Sequence, residues 1–84
     1  MELKDTIEMM QSSDYKERFK AEYCQLKIRY EKLIHMLSDW DNGELKFKPT
    51  CPRNMYDIQV KGMEMYLDIL ADRAELEGIE LDTV

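Results

Sequence analysis

The 84-residue sequence has few of the residues on which most catalytic and metal sites depend. It contains one histidine, His35, and two cysteines, Cys24 and Cys51, which lie far apart and outside any CxxC pattern. Zinc sites use clusters of Cys and His, so no metal site is expected, and a reduced, buried thiol is expected for each cysteine. A Gly-rich phosphate loop, a His–Glu–His spacing and a GxSxG element are also missing. The sequence therefore predicts a protein that is not an enzyme and needs no cofactor.

Long apolar runs are missing as well, because charged residues interrupt every hydrophobic stretch. A membrane-spanning helix needs about 20 consecutive, mainly apolar residues, and a secretory signal also needs an apolar run. We therefore expect a cytoplasmic protein without a membrane anchor. The length fits one small domain, residues 1–84, whose core is marginal unless it gains partners.

The charge is unevenly distributed along the chain. The formal net charge is −6, which argues against binding of duplex nucleic acid. Six Lys and Arg nevertheless outnumber three Glu in residues 15–35, whereas residues 62–84 hold seven acidic residues and one arginine. Either these charges are solvated helix faces that form ion pairs, or the basic middle of the chain faces an anion.

The most periodic stretch predicts a single long helix over residues 14–41. Asp14 followed by Glu17 has the form of a capping box at its start, and Gly43 is a suitable stop. Apolar residues recur at intervals of four and three, which places them on one face of a helix. They are Phe19, Tyr23, Leu26, Tyr30, Leu33 and Leu37.

A linker over residues 42–51 separates this helix from a second one over residues 52–77. In the linker, Leu45 and Phe47 alternate with charged residues, which indicates an irregular segment that holds both side chains against the helices, or one strand. Thr50 or Cys51 is expected to cap the second helix, with Pro52 in its first turn. The apolar seam of this helix has the same spacing as the first: Tyr56, Val60, Met63, Leu67, Leu70 and Ala74.

The two ends of the chain are predicted to be less firmly held. Residues 2–11 indicate a short helix that docks through Leu3, Ile7 and Met10, and a helix of this length is marginal alone. The acidic tail, residues 79–84, is expected to be loosely held.

A second apolar stripe on the 52–77 helix indicates self-association. The residues off the main seam, Met55, Tyr66, Ile69 and Leu76, make the apolar surface wider than one partner helix needs. Gly62, inside the same helix, is either a neutral surface glycine or a point of close approach by another backbone. The predicted fold is therefore all-α: a long antiparallel two-helix hairpin with a short N-terminal helix, assembling into a helical homo-oligomer.

The start of the long helix holds the best candidates for ligand binding. Tyr15, Lys16, Arg18 and Lys20 combine an aromatic ring with three cations, beside the free N–H groups of a helix start. Such residues stack on bases and bind phosphate. The plainer interpretation is that Phe19 and Tyr15 pack and that the cations pair with Glu17 and Glu22.

Two motifs carry a resemblance to a known group of proteins. RFKAEYxxLxxRxxKL (Arg18–Leu33) and QxxxMxxYLxxLxxRAxxEG (Gln59–Gly78) resemble the small helical-hairpin proteins of phages, including the anti-CBASS and anti-Thoeris sponges. The resemblance implies a homo-oligomer, from dimer to hexamer, that sequesters cyclic oligonucleotide or cyclic ADP-ribose-type signals without hydrolysing them. It also implies phosphate contact by Lys20, base stacking by Tyr15 and a second nucleotide site at Arg73.

Two other functions stay open at this point. The acidic second helix could imitate nucleic-acid phosphate, as in an anti-CRISPR-like protein that inhibits a host defence effector. Alternatively, oligomerisation of the hairpin could be its whole role.

Overall fold

The computed structural model describes residues 1–81, which form an elongated all-helical hairpin. A 3-10 turn (Leu3–Thr6) and α1 (Ile7–Met10) precede two long helices, α2 (Tyr15–Asp41) and α3 (Arg53–Glu77). The long helices are antiparallel, since the start of α2 contacts the end of α3 and the end of α2 contacts the start of α3. We call the end with Tyr15 and Glu77 the open end, and the end with the linker the closed end. The predicted all-α class is confirmed, and residues 1–81 contain no strand.

The α2 helix starts with a simpler cap than the expected capping box. The Asp14 carboxylate accepts a hydrogen bond of 3.0 Å from the backbone N–H of Lys16. Glu17 makes no return bond to the backbone, because its carboxylate lies 3.7 Å from the Lys20 ammonium instead. The helix stops at Asn42, and Gly43 takes the left-handed conformation with φ of 72°.

The expected cap of α3 by Thr50 or Cys51 is wrong. Pro52 is the residue that precedes the helix, with an extended ψ of 151°, and no side chain caps the helix start. The extended conformation of Pro52 leaves Thr50 and Cys51 outside the first turn, so a backbone bond from Met55 N–H to the Pro52 carbonyl closes it. At the other end Gly78 stops the helix with φ of 70°.

The core lies at the open end of the hairpin. Phe19 packs against Leu70, Ala74 and Ile79, and all four residues are at most 6% exposed. Most other residues of the two predicted seams are half-buried between the helices, and Leu37 is buried near the closed end. The tail is not loose at Ile79, whose N–H donates 2.8 Å to the Ala74 carbonyl and whose side chain completes the core. The rest of that prediction, residues 82–84, lies outside the described residues.

The N-terminal segment docks on α2 through a residue that the pattern did not indicate. Thr6 is fully buried; its hydroxyl donates 2.7 Å to the Leu3 carbonyl and accepts a bond of 3.2 Å from Gln25. Ile7 and Met10, expected to dock, are 48% and 42% exposed. The segment begins as a 3-10 turn with three residues per turn, so the α-helical spacing does not give its contact face.

Two expectations about single side chains are wrong. Cys24 is buried, but Cys51 is exposed because it lies in the irregular segment before α3. Phe47 is 58% exposed rather than held against the helices, because the segment places it beside Trp40 in an open groove. Within residues 1–81 no helix has the length and apolar character to cross a bilayer.

Candidate ligand-binding site

Two of the predicted site residues, 58 positions apart in sequence, meet at the open end. The Tyr15 hydroxyl accepts a hydrogen bond of 3.0 Å from Arg73 Nη2 and donates one of 2.8 Å to Glu77 Oε1. Arg73 Nε in turn lies 3.3 Å from Glu77 Oε2. The three side chains therefore form a closed hydrogen-bonded cycle between α2 and α3.

Phe19 forms the floor of this cycle. The Arg73 guanidinium carbon lies 5.1 Å from the centre of the Phe19 ring, within the range of a cation–π contact. The Tyr15 ring meets the same ring edge-on, with centroids 6.2 Å apart. Phe19 is 2% exposed, whereas Tyr15 is 46% exposed and the Arg73 side chain 47%. An incoming ligand could therefore reach the aromatic ring and the cation, but not the floor.

Helix geometry explains why these side chains converge. Tyr15 and Phe19 are four residues apart, one turn along α2, and so share the face toward α3. Arg73 and Glu77 have the same spacing on the last turn of α3. Gly78 ends α3 at this level and Ile79 packs under it, which holds the last turn against Phe19.

The hydrogen bond to Glu77 changes the acidity of Tyr15. Because the carboxylate accepts the phenolic proton, it raises the pKa of Tyr15, with partial desolvation acting in the same direction. Partial desolvation by itself would lower the pKa of Arg73, but the interactions and hydrogen bonds with Tyr15 and Glu77 outweigh it and raise that pKa. The guanidinium therefore stays charged at physiological pH, held beside a carboxylate that an anionic ligand could replace.

The other predicted cations do not join this cycle. Arg18 folds back and donates 2.9 Å to the Ser12 carbonyl. Lys16 and Lys20 lie one turn apart on a side of α2 that is opposite to Arg18. Lys20 pairs with Glu17 as the plainer interpretation expected, whereas Lys16 is exposed and forms no ion pair among residues 1–81. Of the five predicted residues, Tyr15 and Arg73 therefore form one cluster. The other three cations, Lys16, Arg18 and Lys20, lie apart from it.

Sequence reasoning missed the part played by Glu77. Its signal was present, since an arginine four residues before a glutamate on one helix is a common ion-pair spacing. The contact between Glu77 and Tyr15 had no such signal, because it depends on how the two helices are aligned along the hairpin.

A second cluster, also missed, closes the other end of the hairpin. Arg53 pairs with Asp41 at 2.5 Å and with Asp57 at 3.0 Å, and its guanidinium carbon lies 5.2 Å from the centre of the Trp40 ring. Trp40 in turn meets Tyr56 edge-on, with centroids 5.9 Å apart. The carboxylates of Asp41 and Asp57 already neutralise the charge of Arg53. This cluster is therefore less suited to an anionic ligand than the Arg73 cluster is.

Among residues 1–81 no group of three or more His, Cys, Asp and Glu side chains is placed to hold a metal ion. His35 lies far along α2 from Tyr15, is exposed, and has Nε2 3.6 Å from an Asp39 oxygen. The open end instead offers an exposed tyrosine ring and a guanidinium, which can stack on a ligand, pair with its charge and donate hydrogen bonds to it.

Comparison with known proteins identifies the family. No curated protein and no solved structure matches the chain. The family model described as Sequestin matches residues 13–76, from just before α2 to the last residue but one of α3. With most of its length and both long helices covered, the chain belongs to the Sequestin family.

Proposed function

We propose that this protein sequesters a cyclic oligonucleotide or cyclic ADP-ribose-type immune signal without hydrolysing it. The observation that carries the proposal is the meeting of Tyr15 and Arg73 over Phe19 at the open end. The family name, Sequestin, fits a binding role. The protein would act as a phage or prophage anti-defence protein in the cytoplasm of the bacterial host, as the resemblance of the two helix motifs implies.

The chemistry of the cluster fits a ligand that has both a base and a phosphate. The Tyr15 ring is exposed enough to stack on a base, and base–aromatic stacking contributes about 1–3 kcal/mol. A phosphate could present two oxygens to the guanidinium fork, where the Glu77 carboxylate now places one oxygen on Arg73 and the other on Tyr15. Binding would thus exchange the Arg73–Glu77 pair for an Arg73–phosphate pair. Lys16, exposed on the first turn of α2, could meet a second phosphate.

Sequestration needs binding without cleavage, and the residues around the cluster support this. The site combines a phenol, a guanidinium and a carboxylate that is already engaged by both of them. We also propose that the protein acts as a homo-oligomer, from dimer to hexamer, with ligand pockets bordered by neighbouring copies.

Isothermal titration calorimetry with cyclic di- and trinucleotides and cyclic ADP-ribose isomers tests the proposal. We expect one ligand class to give heat, Arg73→Ala and Tyr15→Ala to lose it, and the ligand recovered after denaturation to be intact. Arg53→Ala is the control, because it removes an arginine that likewise contacts an aromatic ring and carboxylates, but at the opposite end of the hairpin. Folded wild-type protein that gives no heat with the whole panel, or ligand recovered as hydrolysed product, would refute the proposal.

A second function is favoured by one observation on α3. Asp68, Asp72 and Glu75 are exposed and form no ion pair within residues 1–81, so they present free negative charge along the helix. Such a surface could bind a basic groove of a host defence effector. Co-purification with a CRISPR effector, abolished by charge reversal at Glu75, Glu77 and Glu80, would establish this function; its absence would leave α3 without that role.

A further inference from the structure

The outer face of α3 carries a stripe of exposed, large apolar side chains. The stripe follows two series of residues that each repeat every seven positions, as in the a and d positions of a coiled coil. The first series is Met55, Gly62, Ile69 and Leu76, and the second is Ile58 and Met65, continued by Asp72. The apolar members are 53% to 88% exposed.

The hairpin cannot cover this stripe itself. The opposite face of α3, with Leu70 and Ala74, is the one that packs on α2. A specific dimer buries about 800 Å² per partner, and five large side chains that are at least half exposed, spread along the whole of α3, present an area of that order. A heptad seam requires a second helix with the same pattern, and a second copy of this chain provides it.

We propose that α3 pairs antiparallel with α3 of a second copy, with Met65 of each copy seated over Gly62 of the other. This proposal specifies the interface of the self-association proposed above and does not depend on the ligand. A Cβ placed on Gly62 would meet nothing within 4 Å in its own chain, so the hairpin alone gives no reason for glycine there. In the pair, the missing side chain at position 62 makes room for the long Met65 side chain.

The antiparallel register matches four of the five large residues with an acceptable partner on the other α3, and Leu76 falls opposite position 51, just before the partner helix begins. When Met65 faces Gly62, Ile58 faces Ile69 and Asp72 faces Met55 of the other copy. Asp72 then lies near the start of the partner helix, where free N–H groups favour a carboxylate. A parallel pair would instead place Gly62 against Gly62, leaving a void, and Asp72 against Asp72, with like charges opposed.

Sedimentation velocity over a range of concentrations tests the surface. We expect wild-type protein to dimerise and Met65→Glu to raise the dimer dissociation constant by at least about 100-fold, since the dimer would bury an unpaired charge. Phe47→Glu is the matched control, because Phe47 is similarly exposed but off the stripe. A wild-type monomer at all concentrations, or dimers unaffected by Met65→Glu, would overturn the proposal.

Disulfide trapping tests the register and does not depend on the glutamate variant folding. Ile58→Cys and Ile69→Cys are prepared separately in a Cys51→Ser background, mixed and oxidised. We expect cross-linked heterodimers from the mixture and little product from either variant alone. In the antiparallel pair two copies of position 58 are separated by about 16 Å, too far for a disulfide. Efficient cross-linking of Ile58→Cys with itself would show parallel pairing and overturn the register.

The two proposals fail separately. A dimer that meets both tests but gives no heat with any nucleotide leaves this interface in place and refutes the proposed function. A protein that binds nucleotide yet remains monomeric refutes the interface and leaves the binding proposal in place.

Discussion

The hydroxyl of Tyr30 on α2 donates a hydrogen bond of 2.8 Å to the carboxylate of Glu64 on α3. It is one of three such bonds across the hairpin: Tyr15 donates to Glu77, and Tyr66 on α3 donates to Glu22 on α2. Each bond holds a phenol in its neutral form beside a carboxylate. Tyrosine–glutamate pairs are therefore the main polar links between the two helices along their length.

These bonds make stability sensitive to alkaline pH. In each pair the carboxylate raises the pKa of the tyrosine above its ordinary value of 10.0. The stabilisation is complete below pH 10 and is lost as the pH rises from 10 through the raised pKa, because only the unfolded phenols then ionise. We expect the free energy of unfolding, measured by urea titration, to fall from pH 9 to pH 11.

Tyr30→Phe is the control for that measurement. It removes one titrating phenol, so its loss of stability from pH 9 to pH 11 should be smaller than that of the wild type. Equal losses would show that the Tyr30–Glu64 bond makes no contribution to the pH dependence.

Removing a large side chain from the core at the open end should lower the stability of the protein markedly. Leu70 is 1% exposed and packs with Phe19, Ala74 and Ile79, so we expect Leu70→Ala to lower the free energy of unfolding by about 2–5 kcal/mol. Chemical denaturation followed by circular dichroism measures this. Ile7→Ala, at a 48% exposed position, should change stability by less than about 0.5 kcal/mol. Equal effects of the two variants would contradict the assignment of the core.

The closed end should depend on arginine rather than on positive charge alone. Arg53 contacts two carboxylates and the face of Trp40 at once, which a lysine ammonium cannot reproduce. We therefore expect Arg53→Lys to lower the melting temperature almost as much as Arg53→Ala. Lys4→Ala, which removes an exposed surface pair, should leave it unchanged. Full retention of stability in Arg53→Lys would refute this.

The same cluster predicts a loss of stability in acid. The hydrogen bond from Arg53 lowers the pKa of Asp41 below its ordinary value of 3.8. Its contribution is present above pH 3.8 and is lost as the pH falls through the lowered pKa. The difference in melting temperature between wild type and Asp41→Asn should therefore be constant near neutral pH and shrink below pH 3.8. A difference that persists undiminished at pH 2 would contradict the pairing.

The two cysteines should react very differently. Cys51 is exposed, whereas Cys24 is 1% exposed and burial raises the pKa of its thiol, which reduces the reactive thiolate. We expect a thiol reagent such as DTNB to modify one equivalent quickly and the second only after unfolding. Cys51→Ser should abolish the fast phase, and a fast phase that survives this change would show that Cys24 is accessible.

The spacing of apolar residues predicted most of the hairpin. Both seams face each other, with Phe19 and Leu70 at the centre of the core, because a 3.6-residue period determines which side chains share a face. The pattern failed where the backbone departs from that period. Thr6 belongs to a 3-10 turn and Phe47 lies in an irregular segment, so the α-helical spacing does not predict which way either side chain points.

The site was predictable in composition but not in arrangement. The type and helix position of Tyr15 and Arg73 were visible in the sequence. Their contact was not, because it depends on the alignment of two helices across a linker of irregular structure. A shift of one turn along α3, about 5.4 Å, would have brought a different residue to Tyr15. Lys20 and Arg18 share the basic stretch with Tyr15 but lie on other sides of α2, so charge density alone pointed to cations outside the cluster.

Phe19 belongs to the hydrophobic core and to the candidate site at once. Its ring packs on Leu70 and Ile79 on one side and supports Arg73 on the other. Under the proposed function, selection for a stable fold and selection for the choice of ligand therefore both act on this position. Among relatives that bind different ligands, we expect Tyr15, Arg73 and Glu77 to diversify while an aromatic ring persists at position 19. New ligand specificities would thus evolve around an aromatic core residue that stays unchanged.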